Sequence, residues 1–241
     1  MQEKKIVLFL VEGTSDIEAL ENSFEEIYEK YNIEFKPLKC DITADESSTR
    51  KNIEGILIKK VDEFLGRHSE IREDDILGIV QIVDMDGAGI PSENIKQSEN
   101  NKTTYTEQFI FAKDKTRLVA RNLRKRSILC YLKEKEFLEK LNKDGECEYR
   151  LKYHIYYFSR NLEHALYGKS EEYTKEEKEE FAMEFADRFE ENEEEFIKHL
   201  HSPDIMIEGN YKETWDYIFL ELNSLHRGSN LHLVFEEIPF I

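Results

Sequence analysis

The chain has 241 residues, 52 acidic and 34 basic, for a net charge of −18; 39% of it is hydrophobic and 12% aromatic. That suffices for one good core, or a core with a smaller annex, and argues against global disorder. No run approaches the roughly 20 apolar residues of a membrane span. The opening run KIVLFLV is too short for a secretory signal and ends in an acid, so a cytoplasmic protein is expected. Cys40, Cys130 and Cys147 are widely spaced, with no CxxC or Cys/His cluster, so neither a disulfide framework nor a structural zinc site is expected.

Residues 5–11 form a continuous apolar run, which suits a strand buried on both faces. Glu12-Gly13-Thr14 breaks it. Ser15, three residues before Glu18, has the spacing of a capping box, and Ile17, Leu20, Phe24, Ile27 and Tyr31 then recur as one helical face. Residues 33–40 predict a second strand. A polar loop leads to a helix bearing Ile53, Ile56, Leu57, Val61, Phe64 and Leu65, and residues 76–83 (ILGIVQIV) predict a third strand, which stops at Asp84. This β-α-β-α-β order predicts an α/β fold with a parallel sheet, in which ligands bind beyond the carboxyl ends of the strands.

From Asp86 to about Thr116 the sequence is polar and predicts a long loop over that rim. A helix follows, carrying leucines from Leu118 to Leu141. Residues 149–158 predict a fourth strand, and Asn161 is placed to cap the short helix LEHALYG. After Gly168 the style changes to acidic, aromatic-rich helices at about 175–201 and 211–225, with the tail LHLVFEEIPFI an edge strand or a packed loop. Two regions are therefore expected: 1–168, an α/β catalytic domain, and 169–241, an acidic, mainly helical extension packed on it.

Charge is unevenly spread. Residues 171–201 hold 13 acids against 4 bases and supply half the net negative charge, but Phe181, Phe185, Phe189 and Phe196 give that segment an apolar stripe. Residues 113–126 hold seven bases and one acid. The bland reading of this basic stripe is a solvated helix face; the functional one is phosphate tracking by Arg117, Arg121 and Arg124.

Two acidic motifs stand at strand ends. In Glu12-Gly13-x-x-Asp16 the glycine permits a sharp turn, and the acids project from the strand end and the first helical turn. In Asp84-x-Asp86-Gly87, extended backbone would put both carboxylates on one face. Four hard oxygen donors so gathered are what Mg²⁺ or Mn²⁺ selects. Each motif alone is weak. DMDGAG resembles the start of a calcium loop, but it follows a strand and has Ile95, not glutamate, at the twelfth place.

VEGTSD followed by an apolar strand ending in DMDG resembles the TOPRIM domain of type IA topoisomerases, bacterial primases, OLD-family nucleases and small ribosomal RNA maturases. The resemblance spans residues 5–87 firmly and extends to about 168. It implies a TOPRIM, Rossmann-like core with Glu12, Asp84 and Asp86 as catalytic residues, with Asp16 joining them in holding Mg²⁺ or Mn²⁺, and with nucleic acid as substrate. Glu163, after strand four, matches a place where related nucleases carry a further polar group. Lys152 and His154 alternate on strand four and are weaker candidates, against the commoner reading of surface-strand residues. His226 and His232 read as structural or surface groups. The chain lacks GxxxxGKS, a topoisomerase strand-passage domain and a primase zinc module, which favours a stand-alone nuclease, with anti-phage defence suggested by analogy alone. Other readings stay open: a non-catalytic assembly module partnering a separate ATPase, or a nucleotidyl transferase. A homo-oligomer is compatible with each.

Overall fold

The computed structural model describes residues 5–171 and 173–236. The main sheet has five strands in the order β2-β1-β3-β8-β7, formed by β1 (Lys5–Val11), β2 (Ile33–Lys39), β3 (Ile76–Asp84), β7 (Phe137–Leu141) and β8 (Cys147–Phe158). The first four in that order run parallel, and β7 joins the edge antiparallel. The fold is α/β and Rossmann-like.

β1 is buried on both faces, and its alternation splits the core in two. Val7, Phe9 and Val11 face α1 (Thr14–Glu29) together with α5 (Lys175–Phe189) and α6 (Glu193–Leu200). Ile6, Leu8 and Leu10 face α2 (Ile53–Arg67) and α3 (Lys115–Leu132). After β1 the chain moves to β2 on one side and then crosses to β3 on the other. The rim between β1 and β3 is therefore the point where strand order reverses, the usual crevice for ligands in open α/β sheets.

The polar stretch after Asp86 is not a plain loop. It forms a small second sheet, β4 (Ile95–Gln97), β5 (Thr104–Tyr105) and β6 (Ile110–Ala112), in the order β4-β6-β5 over its own apolar cluster. Strands of two or three residues are too short for an alternation pattern to reveal. The leucine-bearing helix ends at Leu132; Leu138 and Leu141 belong to β7, whose pairing with β8 buries Leu138 and leaves Leu141 exposed.

The C-terminal region is woven into both cores. Phe185, Phe189 and Phe196 pack with α1 and β2, while Trp215 of α7 (Tyr211–Ile218) is fully buried against β8, its indole N–H donating to the Ile155 carbonyl at 3.3 Å. Tyr157 of β8 donates through its hydroxyl to Thr214 O at 2.7 Å and through its N–H to Asn230 Oδ1 at 2.9 Å. The predicted helices at 175–201 and 211–225 are each shorter, and the tail through residue 236 ends in α8 (Leu233–Glu236) rather than a strand; 237–241 lie outside the described residues. Among the described residues, no helix is long and apolar enough to cross a membrane.

Candidate functional site

Glu12 directly follows β1 and Asp84 ends β3, neighbouring parallel strands whose axes lie about 4.8 Å apart. Asp16 comes from the first turn of α1. Its Oδ2 accepts from Gly13 N–H at 2.8 Å, so the helix starts at Gly13, with Asp16 supplying the one side-chain bond there in place of the box expected of Ser15 and Glu18. Gly13 keeps an ordinary extended backbone (φ −118°). What it lacks is bulk: a Cβ there would meet Asp16 Oδ2 at 3.3 Å.

Asp86 reaches the cluster by a route the extended pattern did not predict. Its φ of 50° is left-handed, as is that of Gly87 at 73°, so the chain coils immediately beyond β3. The coil is pinned: Asp86 N–H donates to Arg160 O at 3.0 Å, and Asn122 Nδ2 donates to Gly87 O at 3.0 Å. A side chain at Gly87 would drive its Cβ to 2.3 Å from Ile110 of β6, which sits against this turn.

The centre of the cluster holds Lys125 of α3, a residue that sequence reasoning left undistinguished in the basic stripe. Its side chain is fully buried, and its ammonium donates to Asp86 Oδ2 at 2.7 Å and to both Glu12 oxygens at 3.2 Å. Thr43 donates to Glu12 Oε1 at 2.6 Å. A second lysine comes from the acidic tract: Lys178 of α5 pairs at 2.9 Å with Glu163, which is 2% exposed and belongs to α4 (Leu162–Tyr167).

These charges act on one another. Burial, together with the fields of Asp16, Glu12 and Asp86, raises the Asp84 carboxyl well above the carboxylate range. Burial pushes Glu12 up to about 7 against the opposing pull of Lys125, and Asp16 up to about 6, with Glu163 adding to the rise. Burial also works against the Asp86 carboxylate, but Lys125 and Arg121 outweigh it and hold its pKa below the usual range. Lys178 is held charged against its own burial by Glu163 first, then by Asp84 and Asp16.

Arg121, Arg124 and Arg117 line one cavity of about 610 Å³ together with Lys113, Asp45 and Glu46. Arg121 borders the acids, donating to Asp86 O at 3.1 Å. Arg124 donates to Ala44 O at 3.1 Å, and the exposed Arg117 pairs with Glu46 at 2.9 Å. Lys152 is not brought to the site. It pairs with Gly78 while Phe158 pairs with Asp84, six residues or roughly 20 Å along the strand. His154 lies on that same distant half of β8.

The four carboxylates are hard oxygen donors of the kind a divalent cation takes, and burial first, then their mutual repulsion, raises the proton affinity of Asp84. In the described conformation Lys125 provides the neutralising charge between Glu12 and Asp86. Among the described residues, no three Asp, Glu, His or Cys side chains are placed around one ion. Comparisons with family models, curated proteins and solved structures found no match to this chain.

Proposed function

We propose that the protein is a metal-dependent nuclease of TOPRIM type that hydrolyses phosphodiester bonds of nucleic acid. The observation that carries this reading is the convergence of Glu12, Asp16, Asp84 and Asp86 at the crevice where strand order reverses, beside a cavity walled by three arginines. Glu12, Asp16, Asp84 and Asp86 would hold Mg²⁺ or Mn²⁺ once Lys125 shifts away from Glu12 and Asp86. The cation would lower the pKa of an attacking water and offset charge on the scissile phosphate.

The chain's own groups supply the rest. Where Asp16, Asp84 and Asp86 alone hold the ion, Glu12 would instead serve as the general acid or base. Lys125 and Arg121 bring fixed positive charge to the place where negative charge grows during phosphoryl transfer. Arg117 and Arg124 extend that charge along the cavity wall, where a phosphate backbone would track. The acidic remainder of the surface repels nucleic acid elsewhere and favours approach through this stripe.

One observation favours a second reading. Lys125 satisfies Glu12 and Asp86 without any metal, which is what a non-catalytic module working beside a separate ATPase would need. Incubating the purified protein with labelled DNA, transfer RNA and ribosomal RNA in Mg²⁺, Mn²⁺ or EDTA separates the two. Cleavage that requires metal and is lost in both Glu12→Gln and Asp84→Asn supports the nuclease; undiminished cleavage in both variants refutes the site.

A further inference from the structure

A second cavity, of about 560 Å³, is distinct from the arginine groove. Its lining includes Tyr105, Arg160, His164, His226 and Arg227, with Glu107 the one acid among the described residues that line it. Tyr105 of this pocket lies within the electrostatic reach of Asp86 and of Arg121, which lines the groove. Arg160 also connects pocket and site, because its carbonyl accepts the Asp86 N–H.

The cations here are held in place by the backbone. The Arg160 guanidinium lies 4.3 Å from the Tyr105 ring centre, and its Nη2 donates to Ser170 O at 2.6 Å. Arg227 donates to the carbonyls of Ala165 at 3.0 Å and Leu166 at 3.1 Å, so its charge is fixed mainly by neutral acceptors; its nearest carboxylate, Asp204, is 3.8 Å away and highly exposed. Between them, His164 is 8% exposed and its Nδ1 has no hydrogen-bond partner. A buried polar atom left unpaired calls for an explanation, and an anion shared with two guanidinium groups is one. The concentration of positive charge has a visible effect: burial, then Arg160, Arg227 and His226, push His164 down to about 4, leaving it a neutral imidazole able to donate from one nitrogen.

We propose that this pocket binds the terminal phosphate monoester of a nucleic-acid strand, so that cleavage at the acid cluster is registered from a phosphorylated end. The proposal rests on the nucleic-acid reading above. A monoester carries close to two negative charges at neutral pH, against one on each backbone diester, and so gains more from two fixed guanidinium groups. The arginine groove takes the continuing backbone, and the pocket takes the end.

The test is binding of short labelled single strands bearing a 5′-phosphate, a 3′-phosphate or only hydroxyl ends, measured in EDTA with the full chain. One phosphorylated end is expected to bind about tenfold tighter than the hydroxyl strand, the gain of one or two charge-assisted contacts. Arg227→Gln should abolish that preference. Because Arg227 also holds α4, His226→Glu, at an exposed position, is the second variant: it should lose most of the preference with an unchanged melting temperature. Asp84→Asn should retain the preference, which separates this pocket from the cutting site. Equal affinity for all three strands overturns the proposal, as does stabilisation by inorganic phosphate alone with no preference for a phosphorylated end. No metal-dependent cleavage by the unaltered protein, with the end preference intact, counts against the nuclease reading and not against the pocket.

Discussion

The Lys125 ammonium sits 2.7 Å from Asp86 Oδ2, and it is the contact that lets an acid cluster exist in a folded rim without a bound ion. Lys125 has a fully buried side chain and also reaches Glu12. Removing it in Lys125→Met would leave two desolvated carboxylates without a counter-charge, at a cost of about 3–5 kcal/mol. Denaturant unfolding in EDTA measures this. The loss should be largest at pH 8 and shrink toward pH 5, because without Lys125 both acids become easier to protonate; a pH-independent loss would mean that packing alone is responsible.

The sign for the remaining acids follows from their shifts. Glu12, Asp16 and Asp84 bind protons more readily folded than unfolded, so their contribution to stability is fully present below the unfolded values near 4 and is lost as pH rises, for Asp16 through about 6 and for Glu12 through about 7. Asp84→Asn removes the central charge. At pH 8 in EDTA the variant should melt higher than the wild type by roughly 2–4 °C, about one kcal/mol for a chain of this size. Toward pH 5 that advantage should fade. Adding Mg²⁺ should reverse the order at pH 8, since only the intact site gains binding energy. A wild type indifferent to Mg²⁺ in this comparison would count against the metal.

How much of this arrangement the sequence revealed depends on what each signal measures. The strands carrying Glu12 and Asp84 were legible because a buried parallel strand needs an unbroken apolar run, and both runs end at the acids. The placement of Asp86 was not, because a left-handed backbone at a non-glycine residue leaves no periodic trace. Lys125 looked like any base in a basic stripe; only the fold shows that it is fully buried while Arg117 stays exposed. The leucines at 138 and 141 continued a helical spacing by coincidence. Lys178 was hidden in a tract whose composition resembles a solvated face, and its role comes from α5 lying along α1.

That last relationship makes Lys178 a positioning residue with a measurable effect. Its charge lowers the proton affinity of Asp16, and it stands in the field of Asp84. Lys178→Met should raise both acids and move the acid limb of the cleavage pH profile to higher pH, leaving activity at pH 8.5 within a few-fold of wild type. Glu163→Gln should do the opposite, because Glu163 raises Asp16. A uniform fall across the pH range in both variants would indicate a structural role only.

The chain's last third offers a test of whether it is an annex or part of the core. Trp215 is fully buried, meets Tyr157 with ring centres 4.8 Å apart, and bonds to the backbone of β8, the strand from which the chain continues to Arg160 and Glu163. A separable extension would unfold independently, with the α/β region keeping its own transition. Shared cores predict a single cooperative transition instead. Trp215→Ala should lower the stability of the whole chain by about 3–5 kcal/mol. Two transitions by circular dichroism, with only the weaker one moved by the substitution, would support the division at residue 168.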